Sequence, residues 1–205
     1  MMTKIKICGL SRKEDIAFVN EAKPDYCGFI INVPKSRRNI TVDQLVSLRE
    51  GLDHSICPVG VFVKEDISLV AELLNQGVIG IAQLHGGEDH EYIRQLREET
   101  DGILMQAFSV SNKEDLQRAY SSAADMILLD HGKGGTGERF DWKLLEGERE
   151  RPYFLAGGIS TENIPEAVRR LHPWAVDMSS SVETDGKKDR EKILAAVAAV
   201  RSTMR

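Results

Sequence analysis

Short apolar runs alternate with longer amphipathic stretches along the whole chain. A continuous apolar run between turn residues is typical of a strand that is buried on both faces of a parallel sheet. The pattern predicts eight strands, at Ile5–Cys8, Tyr26–Ile31, Pro58–Val63, Ile79–Leu84, Ile103–Phe108, Met126–Asp130, Tyr153–Ala156 and Ala175–Met178.

A helix-like amphipathic segment follows each predicted strand. Polar residues that can cap a helix stand at the start of five segments, at Thr41, Asp66, Asp89, Asn112 and Asp141. The pattern predicts eight helices, near residues 13–22, 41–51, 66–76, 89–100, 112–122, 141–149, 162–171 and 189–201.

Strict alternation of strands and helices predicts a parallel sheet with right-handed crossovers. The 205 residues divide into eight units of about 26 residues, which fits the small end of the (β/α)8 TIM barrel range. A doubly wound open sheet is the alternative fold. We expect one α/β domain over residues 1–205, because no linker or change of composition divides the chain.

Composition and charge narrow the classes of partner. The chain has 27 basic and 32 acidic residues, mixed along its length, and a net charge of −5. It therefore lacks the basic stripe that a nucleic acid would need, and no apolar run approaches the roughly 18 residues of a membrane span. The three cysteines lack Cys-x-x-Cys spacing, which argues against disulfides and structural zinc. We expect a cytoplasmic protein with neither nucleic acid nor membrane as a partner.

The first strand directs a cysteine toward the predicted barrel mouth. Lys4, Lys6 and Cys8 share one face of this strand, and Ile5 and Ile7 share the other. If the isoleucines face the helices, Cys8 points into the mouth. Barrel enzymes build their sites at the carboxyl ends of the strands, so the residues at these ends are the candidates for chemistry.

Glycines and serines end the last two strands. Glycine lets backbone N–H groups approach a phosphate closely, and hydroxyls add further donors. The pattern predicts a phosphorylated small molecule as ligand, bound by Gly157, Gly158, Ser179, Ser180 and Ser181. The alternative for the glycines is a tight turn, and for the serines it is an ordinary helix start.

The order of motifs along the chain is more specific than any one of them. The chain carries Lys6-Ile7-Cys8-Gly9, Gly28-Phe29, Ser36-x-Arg38, Val59-Gly60-Val61-Phe62-Val63, Gln83-Leu84-His85-Gly86, Leu129-Asp130, Gly134-Gly135-Thr136-Gly137-x-x-Phe140-Asp141-Trp142, Leu155-Ala156-Gly157-Gly158 and Val176-Asp177-x-Ser179-Ser180-x-Val182-Glu183. In this order they resemble the phosphoribosylanthranilate isomerase family, the barrel enzymes of tryptophan biosynthesis, nearly end to end.

The resemblance implies an Amadori rearrangement of N-(5-phosphoribosyl)anthranilate to 1-(2-carboxyphenylamino)-1-deoxyribulose 5-phosphate, without metal or organic cofactor. It places Asp130 as the general acid and Cys8 as the general base, and it places Arg38 against the anthranilate carboxylate. Taken alone, Cys8 could be a packing residue, Asp130 a cap or a lysine partner, and Arg38 a solvated loop charge. A further hypothesis is that the Cys8 thiolate forms fully only when substrate is bound.

Two other polar residues have open roles. His85 could line the sugar or aromatic pocket, or it could serve as a structural hydrogen-bonding group. Asp177 is expected to pair with Lys6 across the barrel and is left outside the catalytic pair.

Two patterns that suggest other ligands are interpreted as structural. Gly132–Gly137 matches a dinucleotide-binding loop, but it falls in the sixth unit and its helix is expected only from Asp141. His85, Glu88, Asp89 and His90 could be drawn as a metal cluster, but a polar turn before a helix explains them better.

Two rival functions remain after these interpretations. The first is another sugar-phosphate isomerase or epimerase, and a bound metal would favour the epimerase. The second is a catalytically silent phosphosugar-binding or scaffold protein. A monomer and a homodimer are equally compatible with the sequence.

Overall fold

Eight parallel strands form the centre of the molecule. The structure, a computed structural model, describes residues 2–131, 142–147 and 151–203, apart from the side chain of His131. The strands are β1 Lys4–Cys8, β2 Tyr26–Ile31, β3 Cys57–Phe62, β4 Ile81–Leu84, β5 Ile103–Val110, β6 Met126–His131, β7 Tyr153–Leu155 and β8 Ala175–Met178.

The sheet is closed. Each strand pairs in parallel with its neighbours in chain order, and β1 pairs with both β2 and β8. The predicted (β/α)8 barrel is confirmed. The open, doubly wound alternative is wrong, because it would leave the two outermost strands unpaired on one side, whereas Lys6 on β1 aligns with Tyr26 on one side and Asp177 on the other.

Helices surround the barrel. In the part of the chain that the structure describes, the α-helices are α1 Lys13–Ala22, α2 Val42–Glu50, α3 Ile67–Asn75, α4 His90–Glu99, α5 Lys113–Tyr120, α6 Ile164–Leu171 and α7 Arg190–Ser202. None of them is long and apolar enough to cross a membrane.

The helix predicted at residues 141–149 is wrong over its described part. Only a 3-10 helix, Trp142–Leu145, is present there, and Gly147 has a left-handed φ of 84°, which no α-helix contains. Residues 141, 148 and 149 lie outside the described residues.

Four of the five predicted caps are confirmed. The side chains of Thr41, Asp66, Asp89 and Asn112 each accept a hydrogen bond from a backbone N–H in the first turn of the following helix. These bonds satisfy N–H groups that the helix itself cannot pair. The fifth residue, Asp141, lies outside the described part of the chain.

Two layers of apolar side chains hold the barrel and its helices together. Ile5 and Ile7 belong to the layer between the strands and the helices, as predicted from their shared face. Val59, Leu128 and Phe154 belong to a second layer that fills the barrel interior. Because side chains alternate along β1, Lys6 and Cys8 are directed to the inside of the barrel.

Short strands at the carboxyl-terminal end of the barrel were not predicted. Asn39–Ile40 adds a short parallel pairing to the end of β2. Glu183–Thr184 and Lys187–Lys188 form an antiparallel hairpin, joined by Asp185 and Gly186 with φ values of 51° and 76°. Asp-Gly is a favoured pair for a turn with two positive φ angles, and this signal could have located the hairpin.

Candidate active site

One cavity at the carboxyl-terminal end of the barrel contains every predicted site residue. Its volume is about 660 Å³, and apolar side chains from β2 and β3 form part of its wall. The structure therefore brings together residues that are as much as 173 positions apart in the chain, namely Cys8, Arg38, His85, Asp130, Gly157, Gly158, Ser179, Ser180 and Ser181.

Cys8 is the last residue of β1 and lines this cavity. Its side chain is directed inward, and the residue is only 7% exposed. Burial raises the pKa of the Cys8 thiol, although the nearby Lys6 cation acts in the opposite direction. In the protein alone, Cys8 is therefore a thiol at neutral pH. Formation of the thiolate when substrate binds stays a prediction.

The predicted pair of Lys6 and Asp177 is confirmed. Lys6 Nζ donates to Asp177 Oδ1 over 3.0 Å, and Lys6 is completely buried. The pair joins adjacent strands and does not span the barrel, because Lys6 and Asp177 are register partners on β1 and β8. Burial alone would lower the pKa of Lys6, but Asp177 and Cys8 outweigh it and raise that pKa, so Lys6 is an ammonium ion.

Asp130 stands near the end of β6, three strands away from Cys8 around the barrel, and lines the same cavity. It lies close enough to His85 to affect the histidine pKa. The surrounding protein lowers the pKa of His85, and the Asp130 carboxylate opposes this effect. His85 Nδ1 also lies 3.1 Å from Nε2 of the buried Gln83. The loop that follows β6, including the Gly132–Gly137 pattern, lies outside the described residues.

Arg38 forms a bidentate ion pair with Glu183. Its Nε donates to Glu183 Oε1 over 2.6 Å, and its Nη2 donates to Oε2 over 2.9 Å. Glu183 also accepts hydrogen bonds from Arg37 over 2.5 Å and from the buried Lys188 over 2.7 Å. Burial alone would raise the pKa of Glu183, but Arg38 and Lys188 outweigh it and lower that pKa to about 2.

Glu183, which ends one of the sequence motifs but had no predicted role, and Lys188, which was not predicted at all, are thus direct partners of the site residues Arg38 and Ser179. Lys188 Nζ also donates to the backbone oxygen of Ser179 over 3.0 Å, and Ser179 Oγ donates to the backbone oxygen of Cys8. The hairpin is therefore connected through its lysine to the serine loop and to the end of β1. Glu183 stands two residues after Ser181, but only the hairpin geometry shows which cations it binds.

The loop after β7 has the backbone that a phosphate site requires. Gly157 and Gly158 have φ angles of 79° and 68°, which favour glycine and leave the backbone without a shielding Cβ. Asn163 fixes this loop, because its Oδ1 accepts from the N–H of Ser160 and its Nδ2 donates to the oxygen of Gly158.

Glu88, one of the two acidic residues among those that could be drawn as a metal cluster, has a structural role. Both carboxylate oxygens of the buried Glu88 accept backbone hydrogen bonds, one from Lys64 and one from Gly86, so Glu88 joins the loops after β3 and β4. Among the described residues, no three His, Cys, Asp or Glu side chains are grouped in a way that could hold a metal ion.

Comparison with known proteins gives one consistent result. Residues 5–199 match the family model of N-(5'phosphoribosyl)anthranilate (PRA) isomerase. The N-(5'-phosphoribosyl)anthranilate isomerase of Endomicrobium trichonymphae is 46% identical over 207 residues, covering 98% of this chain and 100% of that protein.

Solved structures agree with the sequence match. The phosphoribosyl anthranilate isomerase of Thermotoga maritima superposes with a TM-score of 0.88 at 34% identity, covering 98% of this chain and 100% of that one. A phosphoribosyl anthranilate isomerase in complex with reduced 1-(o-carboxyphenylamino)-1-deoxyribulose 5-phosphate has a TM-score of 0.85 at 33% identity, with the same coverage.

Together, the closed barrel and the family match show that the chain is an isomerase built on a (β/α)8 barrel. More particularly, it belongs to the N-(5'-phosphoribosyl)anthranilate isomerase family.

Proposed function

We propose that this chain converts N-(5-phosphoribosyl)anthranilate to 1-(2-carboxyphenylamino)-1-deoxyribulose 5-phosphate, as a step of tryptophan biosynthesis. The observation that carries the proposal is a single cavity in which Cys8 and Asp130 lie together with Arg38 and with the loops after β7 and β8. The relatives at 46% identity and below carry the name of this activity over the full length of the chain.

The proposed chemistry needs one proton donor and one proton acceptor. Asp130 in its protonated form would give a proton to the furanose ring oxygen, and the C1–O bond would break to leave an iminium ion. The thiolate of Cys8 would then remove the proton from C2, and the electron pair of that bond would neutralise the iminium. The resulting enolamine becomes the ketone of the product when C1 takes up a proton and the hydroxyl on C2 loses one. The iminium charge itself acidifies the C2 proton.

The cavity offers distinct surfaces to the three parts of this substrate. Glu183 occupies the Nε and Nη2 edge of Arg38, so an anthranilate carboxylate would bind along the remaining guanidinium edge. Ile30 and Val33 supply an apolar wall for the aromatic ring. The glycines after β7 and the serines after β8 line the cavity, where the backbone N–H groups and the hydroxyl groups of Ser180 and Ser181 would bind the phosphate.

The test is the loss of fluorescence of freshly prepared phosphoribosylanthranilate, with EDTA present and with the product identified by mass spectrometry. Rapid turnover to the carboxyphenylamino-deoxyribulose phosphate supports the proposal. Well-folded protein without turnover would overturn it and favour a phosphosugar-binding protein. Turnover that needs an added divalent metal would favour the metal-dependent epimerase.

Three other properties remain part of this proposal. We expect residues 1–205 to form one domain, and both a monomer and a homodimer stay open. A cytoplasmic location is supported by three cysteines that are all unpaired thiols.

A further inference from the structure

Gly28 on β2 has no side chain, and the space beside it is occupied by the thiol of Cys8 and the ammonium group of Lys6. Gly28 is the register partner of Cys8 on the neighbouring strand. A Cβ at Gly28 would lie 2.7 Å from Cys8 Sγ and 3.1 Å from Lys6 Nζ. The sulfur and the ammonium are thus close neighbours, within the range of about 6 Å over which an opposite charge favours an ionised group.

Lys6 has two possible anionic partners in this space. One is the carboxylate of Asp177, at 3.0 Å from Nζ, and the other is the sulfur of Cys8 when it is ionised. Lys6 is completely buried, so water contributes little screening of its charge. Because Asp177 faces the cavity and Lys6 does not, Lys6 would act on the reaction only through its neighbours.

Other titratable groups also surround Cys8. The cation of Lys188 in the hairpin also lowers the pKa of the Cys8 thiol, but this ammonium group is bound to Glu183 and to the backbone oxygen of Ser179. Within the described part of the chain, the other titratable groups that line the cavity are Arg38, His85 and Asp130, and Cys27 lies behind the barrel wall on β2.

We propose that Lys6 is a positioning residue whose permanent positive charge lies close to the sulfur of Cys8 and favours the thiolate. We propose further that the negative charge of Asp177 offsets part of this effect on the sulfur. The proposal deepens the proposed function, since it rests on Cys8 as the base that removes the C2 proton. It assigns opposite effects to two residues of one ion pair.

The opposite effects follow from the charges. Without Lys6, the Cys8 thiolate would face Asp177 with no cation between them, and ionisation would become harder. Without the negative charge of Asp177, the Lys6 ammonium would act on the sulfur alone, and ionisation would become easier. If the ion pair were purely structural, we would not expect the two replacements to change the ionisation of Cys8 in opposite directions, because loss of either partner would then damage the site in the same way.

The test measures thiolate formation directly. Wild type, Lys6→Met and Asp177→Asn are treated with iodoacetamide across a pH series, and alkylation of the Cys8 peptide is followed by mass spectrometry. Only the thiolate reacts, so the rate below the pKa is proportional to the thiolate fraction. Cys57 is the internal control, because it is half-buried and neither Lys6 nor Asp177 affects its pKa.

We expect alkylation of Cys8 at neutral pH to be at least tenfold slower in Lys6→Met and several-fold faster in Asp177→Asn, with Cys57 unchanged. The rise of kcat/KM with pH should move upward in the first variant and downward in the second. Shifts of Cys8 reactivity in the same direction, or changes below twofold in both variants, would overturn the proposal.

Two further outcomes are decisive. If Lys6→Met does not fold, Asp177→Asn decides alone: faster alkylation of Cys8 supports the proposal, and an equal or slower rate overturns it. Alkylation does not depend on turnover. The two variants could change the alkylation rate of Cys8 in opposite directions while the wild-type protein shows no turnover of phosphoribosylanthranilate. That result would uphold the role of Lys6 and overturn the proposed function.

Discussion

Replacement of Glu183 by glutamine should destabilise the protein more than its single charge suggests. Glu183 is only 8% exposed and binds three cations, Arg37, Arg38 and Lys188. The amide of glutamine carries no charge, so the buried Lys188 would lose the only carboxylate that contacts it among the described residues. Removing one partner of a buried ion pair leaves an uncompensated charge in a poorly solvated place.

The magnitude follows from the pKa of Glu183. A pKa of about 2, against an ordinary value of 4.5, means that the folded protein prefers the carboxylate by roughly 3 kcal/mol. For a chain of this size, that loss corresponds to a fall in melting temperature of roughly 6–12 °C. Because the pKa is lowered in the folded state, the stabilisation is present above about pH 4.5 and is lost as the pH falls toward 2.

The assay is thermal unfolding of wild type and Glu183→Gln at pH 7 and at pH 3, followed by circular dichroism. Glu91→Gln is the matched control, because the pKa of Glu91 is also lowered to about 2, by Arg94, but Glu91 is exposed on α4. We expect no measurable change in the control. Equal melting temperatures for the two variants at pH 7 would contradict a stabilising role of the Glu183 carboxylate. So would a difference between Glu183→Gln and wild type that does not shrink at pH 3.

Three further predictions concern the barrel interior and the cavity. Gly28→Ala would place a Cβ 2.7 Å from the Cys8 sulfur and should cost about 1–3 kcal/mol in thermal unfolding and most of kcat. Gly51→Ala, whose nearest contact is at 3.6 Å, is its neutral control. Arg38→Lys keeps the charge but loses the planar fork and should raise KM at least tenfold in steady-state assays; an unchanged KM would exclude Arg38 from substrate binding. Phe154→Ala removes a buried ring from the barrel interior and should cost about 3–5 kcal/mol in urea unfolding; a loss below 1 kcal/mol would contradict the packing described.

The strands could be predicted because both of their faces are buried. Such strands are continuous apolar runs, and all eight were found, with ends that differ by a few residues. The predicted Ile79 start lies two residues before the observed start of β4 at Ile81, because Ile79 packs in the apolar core but is not part of the ladder. The end of β5 was missed because Ser109 interrupts the apolar run while its backbone still pairs with Asp130.

The contacts between distant charges could not be predicted in the same way. Arg38 was predicted to face the cavity, which it does, but its bond to Glu183 joins residues 145 positions apart. Sequence patterns report local periodicity and do not specify which of many lysines and carboxylates meet. Lys6 with Asp177 is the exception, because both lie on the inward face of strands that pair when the barrel closes.

The proposed reaction depends on Cys8 and Asp130 acting as base and acid in one cavity. The most direct test is kcat for phosphoribosylanthranilate in Cys8→Ala and Asp130→Asn, with Cys57→Ala as the matched control for loss of a thiol elsewhere. We expect kcat to fall at least 100-fold in both site variants and to stay near that of wild type in the control. Near wild-type turnover in Cys8→Ala, in protein that remains folded, would contradict this expectation.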